Sequence, residues 1–332
     1  MTKNNRAPHL RPEFGARAIE ADRLIALIPA LVMAWLFYGA RPLLVCLFTA
    51  LACLIGGQVL NIVVRVRLCM PLESAVAGMV LALICPATIP FWMPALIGVI
   101  STGVYCLLNK LPFFRRFRFS VSIPALGATL LLLIFSAAML RYPSNSTMSA
   151  LPLWGGETVS SPSMAELLRK GKLSGFTVWE TLLGLTGGPM GGTCIAVLLA
   201  AFIYLTYRKS IAWSATAAFM AVYALVVTIM LSVTGGDFRC LFYELCAGGV
   251  LFCAIFMVGH FRAAPKTLYG RILYGVVCAV VALCLSRFGL PLVVPPAVVL
   301  TGLAARYFDL VTSLIGQKRT SRAPLKRVPP EM

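Results

Sequence analysis

Ser74-Ala75-Val76-Ala77-Gly78-Met79-Val80-Leu81-Ala82-Leu83-Ile84-Cys85-Pro86-Ala87-Thr88-Ile89-Pro90-Phe91-Trp92 is the stretch on which the fold turns. It is apolar all round, so no face of it is suited to water. Two prolines, Pro86 and Pro90, interrupt it and restart a second apolar run. A helix hydrophobic on every side is buried in protein or lipid. Working outward, segments of the same kind recur at about 24–40, 42–64, 72–88, 91–109, 122–140, 190–207, 211–232, 239–259, 269–287 and 291–313. Each approaches the roughly 17–25 residues that a spanning helix needs. They lack the alternation of a β-barrel wall, and helices satisfy their own backbone groups in lipid. Across 332 residues, 60% are apolar and 12% charged, with a mean hydropathy of +0.90, about half the charge of a soluble domain. These features exclude a cytosolic enzyme. They predict an all-α, polytopic transmembrane bundle of about ten spans.

Twenty-nine Lys and Arg against eleven Asp and Glu give a net charge of +18. The cations alternate along the chain. Lys3, Arg6, Arg11, Arg17 and Arg23 precede the first span, and Arg65 and Arg67 follow the second. Lys110, Arg115, Arg116 and Arg118 follow the fourth, Arg208 and Lys209 the sixth, and Arg262, Lys266 and Arg271 the eighth. Lys318, Arg319, Arg322, Lys326 and Arg327 form the tail, while odd-numbered connections are poorer, with Arg41, Arg239 and Arg287. By the positive-inside rule both termini are expected in the cytoplasm. The charge is thus a topology signal, and no basic domain outside the bundle suits nucleic acid. The expected organisation is a cytoplasmic segment 1–23, a five-helix half 24–140, an extracytoplasmic loop 141–189, a second five-helix half 190–313 and a basic cytoplasmic tail 314–332. Each half has an interrupted junction, Cys85 to Pro90 in the first and Gly187 to Gly192 at the entry of the second. Paired breaks of this sort build mid-membrane sites in many transporters.

Few residues carry chemistry. Eleven cysteines show no C-x-x-C and no ferredoxin spacing, and most fall within spans, where Cys is a small hydrophobe. Glu73 and Glu244 are the acids expected inside spans, and such groups default to functional hypotheses. Glu244 is a candidate for an ion path, with pairing to Arg239 as the simpler alternative. His260, beside Arg262 and Lys266, reads as a solvated loop residue. His9 reads as a contact to a cytoplasmic partner.

Several motifs resemble one family: Ala7-Pro8-His9-Leu10-Arg11; Asp22-Arg23-Leu24 through Leu31; Ser74 to Gly78; Pro86 to Trp92; Arg208-Lys209-Ser210-Ile211-Ala212-Trp213; and Phe256-Met257 with Pro265 and Gly270-Arg271. Their order and spacing resemble the D subunit of the Rnf-type electron transport complex, related to the B subunit of the sodium-translocating NADH:quinone reductase. The resemblance implies a subunit of a translocating oxidoreductase complex in the bacterial plasma (inner) membrane, not a stand-alone enzyme. Such a complex passes electrons between ferredoxin and NAD, coupled to sodium or proton movement. The implied partners are the other membrane and cytoplasmic subunits and the lipid bilayer.

The family also implies FMN joined by a phosphoester to a Thr in an extracytoplasmic S-G-A-T motif, and room for a second, non-covalent flavin. Here the stretch reads Glu157-Thr158-Val159-Ser160-Ser161-Pro162-Ser163, and Ser163 stands where the flavin-bearing Thr would be. Its hydroxyl can carry the same ester, but Pro162 fixes φ and removes a donor. The other reading is a Ser- and Pro-rich loop that carries nothing. Ser160, Trp179, Met190 and Thr193 are the implied cofactor neighbours. Other polar positions depart from the pattern: Ala77 replaces a Thr, Ser122 an Asn, Gly192 a Glu, and Gly259-His260 a Thr-Asp pair. The implied function is a divergent subunit with an altered flavin or ion site. The alternative is a non-redox transporter of a small solute, or a structural subunit, on the same fold.

Overall fold

The computed structural model describes residues 15–64, 70–110, 121–143, 160–161, 179, 182, 188–234, 241, 244–245, 249–288 and 292–320. The helices are α1 (Ala16–Tyr38), α2 (Arg41–Val64), α3 (Pro71–Ile84), α4 (Trp92–Lys110) and α5 (Ile123–Ile134). They continue with α6 (Ile195–Tyr207), α7 (Trp213–Thr234), α8 (Val250–Cys253, carried on by the π-helical turn Ala254–Val258), α9 (Leu268–Arg287) and α10 (Val294–Thr320). A single turn, Ser136–Met139, follows α5. Two short strands pair antiparallel, Tyr142 with Ser161 and Pro143 with Ser160.

Among the described residues, five helices are long and apolar enough to cross a membrane, where the sequence reading expects ten spans: Ala16–Tyr38, Arg41–Val63, Trp92–Lys110, Trp213–Val233 and Leu268–Arg287. Four more are apolar but shorter: Pro71–Ile84, Ile123–Ile134, Ile195–Tyr207 and Val294–Ala305. The chemistry of their ends shortens them. α3 stops at Ile84 because Pro86 has no N–H to continue the ladder and disfavours helical backbone at the residue before it. α5 ends at Ile134, where the capping Phe135 leaves helical geometry. The expected segment 239–259 contributes only α8 and its π-helical turn as a continuous helix among the described residues. α1, in turn, starts at Ala16, well before the expected boundary near 24.

Small residues set the helix spacing. A Cβ on Gly78 would lie 2.8 Å from the Ala50 Cα, one on Gly98 2.5 Å from the Cys53 Sγ, and one on Gly275 2.4 Å from the Ala215 carbonyl. Small residues allow such approach where lipid provides no hydrophobic drive between helices. α2 packs on α3 and α4, and α4 on α5; α7 packs on α9, and α9 on α10. Across these groups α1 meets α6 and α5 meets α10.

The core is drawn from every helix, with Tyr38, Leu81, Phe219, Phe252, Phe256 and Tyr274 fully buried. Phe252 and Phe256 pack one helical turn apart with their rings tilted by 41° and their centroids 4.9 Å apart. Outward-facing Ile62, Leu133, Ile203 and Val233 are exposed, as suits a surface solvated by lipid. Cys46, Cys53, Cys85, Cys106, Cys194, Cys253 and Cys278 are buried packing residues.

The two interrupted junctions touch. The Met190 N–H donates to the Cys85 carbonyl at 3.0 Å, so the Gly-rich turn supplies a donor where α3 breaks off. Gly191 fits there because a Cβ would lie 2.7 Å from that of Leu83. Gly249 starts α8 in the left-handed region, φ 72°, against Pro189.

Candidate functional site

The first turns of α1 carry three charged residues that are all buried: Glu20, Asp22 and Arg23 are 3%, 6% and 3% exposed. Isolated buried charges are costly, so each must be paired or hydrogen-bonded. Arg23 donates from Nη1 to Glu20 Oε2 at 3.0 Å and from Nη2 to the Phe256 carbonyl at 2.8 Å. That carbonyl is available because the π-helical turn Ala254–Val258 departs from the regular ladder. The Ala254 carbonyl similarly accepts from the Thr216 hydroxyl at 3.2 Å and from the Gly259 N–H at 3.0 Å. Gly259 is needed at this crossing, since a Cβ would lie 2.6 Å from both the Ile255 carbonyl and the Thr216 hydroxyl.

Around this pair the link after α8 adds its own charges. His260 Nε2 lies 3.4 Å from Glu20 Oε1, and Arg262 donates to the carboxylate of Glu73 at the start of α3. Asp22 turns the other way. It accepts from the Ser210 hydroxyl, from Arg208 Nε at 3.2 Å and from the Tyr204 hydroxyl at 3.5 Å, tying α1 to the end of α6. Glu20, Arg23, Glu73, His260 and Arg262 therefore draw α1, α3 and α8 together at one end of the bundle.

His260 corrects the expectation of a solvated loop residue: it is 5% exposed. Burial, together with the Arg23 guanidinium, lowers its pKa to about 4 against the pull of Glu20. The imidazole is thus neutral at pH 7. Burial works against the charged form of Arg262, but the Glu73 carboxylate opposite raises its pKa on balance. A small cavity of about 10 Å3, lined by Arg23, Glu73, Ala77, Tyr105, His260 and Arg262 among others, sits inside the cluster. That is about the space of one water. Arg23 Nε, Ser122 Oγ and His260 Nδ1 are buried without a hydrogen-bond partner among the described residues. Ala77 and His260 line the cavity, and Ser122 lies between two lining residues, Val121 and Ile123. Ala77, Ser122 and His260, three positions where the resemblance implies a different residue, therefore come together about one cavity.

The described cofactor and ion-path candidates lie elsewhere. Met190 is fully buried in a 3-10 turn, and Thr193, 4% exposed, donates from its hydroxyl to the Met190 carbonyl at 3.3 Å. Trp179 is 74% exposed. Ser160 belongs to the strand pair beside Pro143. Glu244 is helical and half-buried. Ser163, Arg239 and His9 lie outside the described residues. Among the described residues no group of three or more His, Cys, Asp or Glu side chains is placed to hold a metal ion.

Sequence reasoning recognises Glu73 but misses Glu20, Asp22 and Arg23, because it places them in the segment before the first span. One signal points to them. Glu20 and Arg23 are one helical turn apart, directly before an apolar run, in a chain with few acids.

Comparison with known proteins bears on most of the chain. The NQR2, RnfD, RnfE family matches residues 3–313. The D subunit of the Na(+)-translocating ferredoxin:NAD(+) oxidoreductase complex of Acetobacterium woodii is 26% identical over 292 residues, covering 85% of this chain and 84% of its own. The D subunits of the ion-translocating oxidoreductase complexes of Halorhodospira halophila and Methanosarcina acetivorans are 25% and 23% identical, each over 85% of this chain and 85% and 84% of theirs. With its apolar spanning helices, the chain is an integral protein of the bacterial plasma (inner) membrane and belongs to the NQR2, RnfD, RnfE family.

Proposed function

We propose that the protein is the D-type membrane subunit of an Rnf-like ion-translocating oxidoreductase complex, one whose ion-handling interior has diverged. The match of the family over residues 3–313 carries the first part of this reading. The meeting of Ala77, Ser122 and His260 about one small cavity supports the second. In this reading ten segments enter the membrane, in two five-helix halves, and both termini are cytoplasmic. The buried ionic cluster then lies at the cytoplasmic surface, while Glu244 stands toward the opposite mouth of an ion path.

Ser163 is the proposed attachment point for FMN, with Ser160, Trp179, Met190 and Thr193 as neighbours, and a second flavin is held without a covalent bond. The flavin would supply electron transfer, and this chain would supply its position and electrostatic setting. The pinning of Ser160 and Ser161 to Tyr142 and Pro143 supports this placement, because it anchors the loop close to Ser163 in sequence. The other subunits of the complex are the partners.

The test is in-gel flavin fluorescence of the denatured protein, made together with its native flavin transferase, alongside Ser163→Ala. A fluorescent band that disappears in the variant is expected. A dark wild-type band would remove Ser163 as a carrier and favour a structural or solute-transporting subunit on this fold.

A further inference from the structure

The end of the bundle remote from the ionic cluster has a different design. Arg41, at the start of α2, and Arg141, just beyond the turn Ser136–Met139, line one pocket of about 510 Å3. No Asp or Glu is among its described lining residues. One short turn contacts the Arg41 side chain and the Arg141 backbone. Arg41 Nη2 donates to the Thr88 carbonyl at 2.8 Å and to the Ile89 carbonyl at 3.4 Å, and the Thr88 hydroxyl donates to the Arg141 carbonyl. The pocket also reaches the beginnings of two long helices, through Arg41 of α2 and Met93 of α4, whose dipoles favour negative charge.

The rest of the wall is largely apolar, and it faces outward. Ile134, which lines the pocket, is 57% exposed, and its neighbour Leu133 is 70% exposed. Trp92, 49% exposed, stands edge-on to Phe135 of the wall, with ring centroids 5.8 Å apart. Tryptophan at the end of a spanning helix marks the headgroup level of a bilayer. The positive-inside rule leaves arginines on this side without a topological purpose, and basic pockets between helix ends hold anionic headgroups. A soluble anion would need the two arginines but not an apolar, outward-facing wall beside them.

We propose that Arg41 and Arg141 form a phosphate site occupied by the headgroup of an anionic phospholipid, whose acyl chains run along the exposed faces of α4 and α5. The phosphate meets the guanidinium groups, and the apolar wall receives the upper part of the chains. This occupant stabilises the turn at residues 88 and 89 from outside.

The full-length protein in zwitterionic detergent provides the test, with thermal unfolding and native mass spectrometry as readouts. Dioleoyl phosphatidylglycerol should raise the unfolding temperature saturably and remain bound in the spectrometer. Dioleoyl phosphatidylcholine should do so far less. Arg141 is exposed, so Arg141→Gln should fold with an unchanged lipid-free unfolding temperature and lose about tenfold in apparent lipid affinity, with Arg141→Lys losing less. If sn-glycerol 3-phosphate shifts the wild type as strongly as the lipid, and Arg141→Gln abolishes that shift, the phosphate site stands and the lipid is overturned as its occupant. Equal responses to the two lipids, or equal lipid affinity in wild type and Arg141→Gln, overturn the proposal.

Discussion

The two ends of the bundle set their cations in different surroundings. At one, Arg23 and Arg262 are each matched by an acid, Glu20 and Glu73, and the charges cancel within the protein. At the other, Arg41 and Arg141 border an open pocket without an acid among its described residues. Cancelled charge fixes how α1, α3 and the link after α8 assemble. A basic pocket open to the outside can serve something that arrives later. The difference shows why counting lysines and arginines by side reveals orientation but not purpose.

The comparison breaks first at Arg23. Arg23→Ala strands the buried Glu20 carboxylate and the Phe256 carbonyl, and removing one partner of a buried pair typically costs about 3–5 kcal/mol. The expected result is loss of the monodisperse gel-filtration peak at ordinary temperatures. Arg141→Ala, at the opposite end, should leave that peak intact. Next in size is Gly259→Ala, whose methyl would press on the Ile255 carbonyl and the Thr216 hydroxyl. Overpacking of this kind costs about 1–3 kcal/mol. Thr216→Ala should recover part of the loss, and if the double variant melts no higher than Gly259→Ala, the clash is misplaced.

A pH series sharpens the comparison further. The folded-state pKa of His260, about 4, lies below the ordinary 6.5, so the unfolded chain takes up this proton first. The contribution of His260 to stability is complete above about 6.5 and declines as pH falls toward 4, with no further decline from this group below that. His260→Gln should flatten the unfolding temperature across that interval, measured against wild type in matched buffers. The smallest effect belongs to Arg208→Ala. This side chain is 50% exposed, and Asp22 keeps the Ser210 hydroxyl, so a loss of at most about 1 kcal/mol is expected.

Much of the helical architecture is legible in the sequence because it follows from apolar length and from prolines. The break at Cys85 to Pro90, the Gly-rich turn before α6 and the buried cysteines can all be read from residue type alone. Span length cannot. The sequence shows where apolar residues run, but Pro86 and the departure of Phe135 from helical geometry cut α3 and α5 short within such runs. His260 misleads for a related reason. A loop histidine among cations resembles a solvated residue until the chain folds back, and its burial depends on Glu20, 240 positions away. Glu20 itself is hidden by a boundary, because α1 begins on the charged side of the apolar run and carries its ion pair inward. The contact between Met190 and Cys85 likewise joins two breaks that sequence alone shows only as parallel.

Asp309 bears on the order in which the protein is made. Beyond the apolar part of α10, its carboxylate accepts from the Lys266 N–H at 3.0 Å, the Thr267 N–H at 3.2 Å and the Thr267 hydroxyl at 3.1 Å, so it closes the start of α9. Until the ribosome has reached residue 309, those donors must be met by water, which this partly exposed end allows. The ninth helix can thus enter the bilayer early, and it is locked in place only when the tenth arrives.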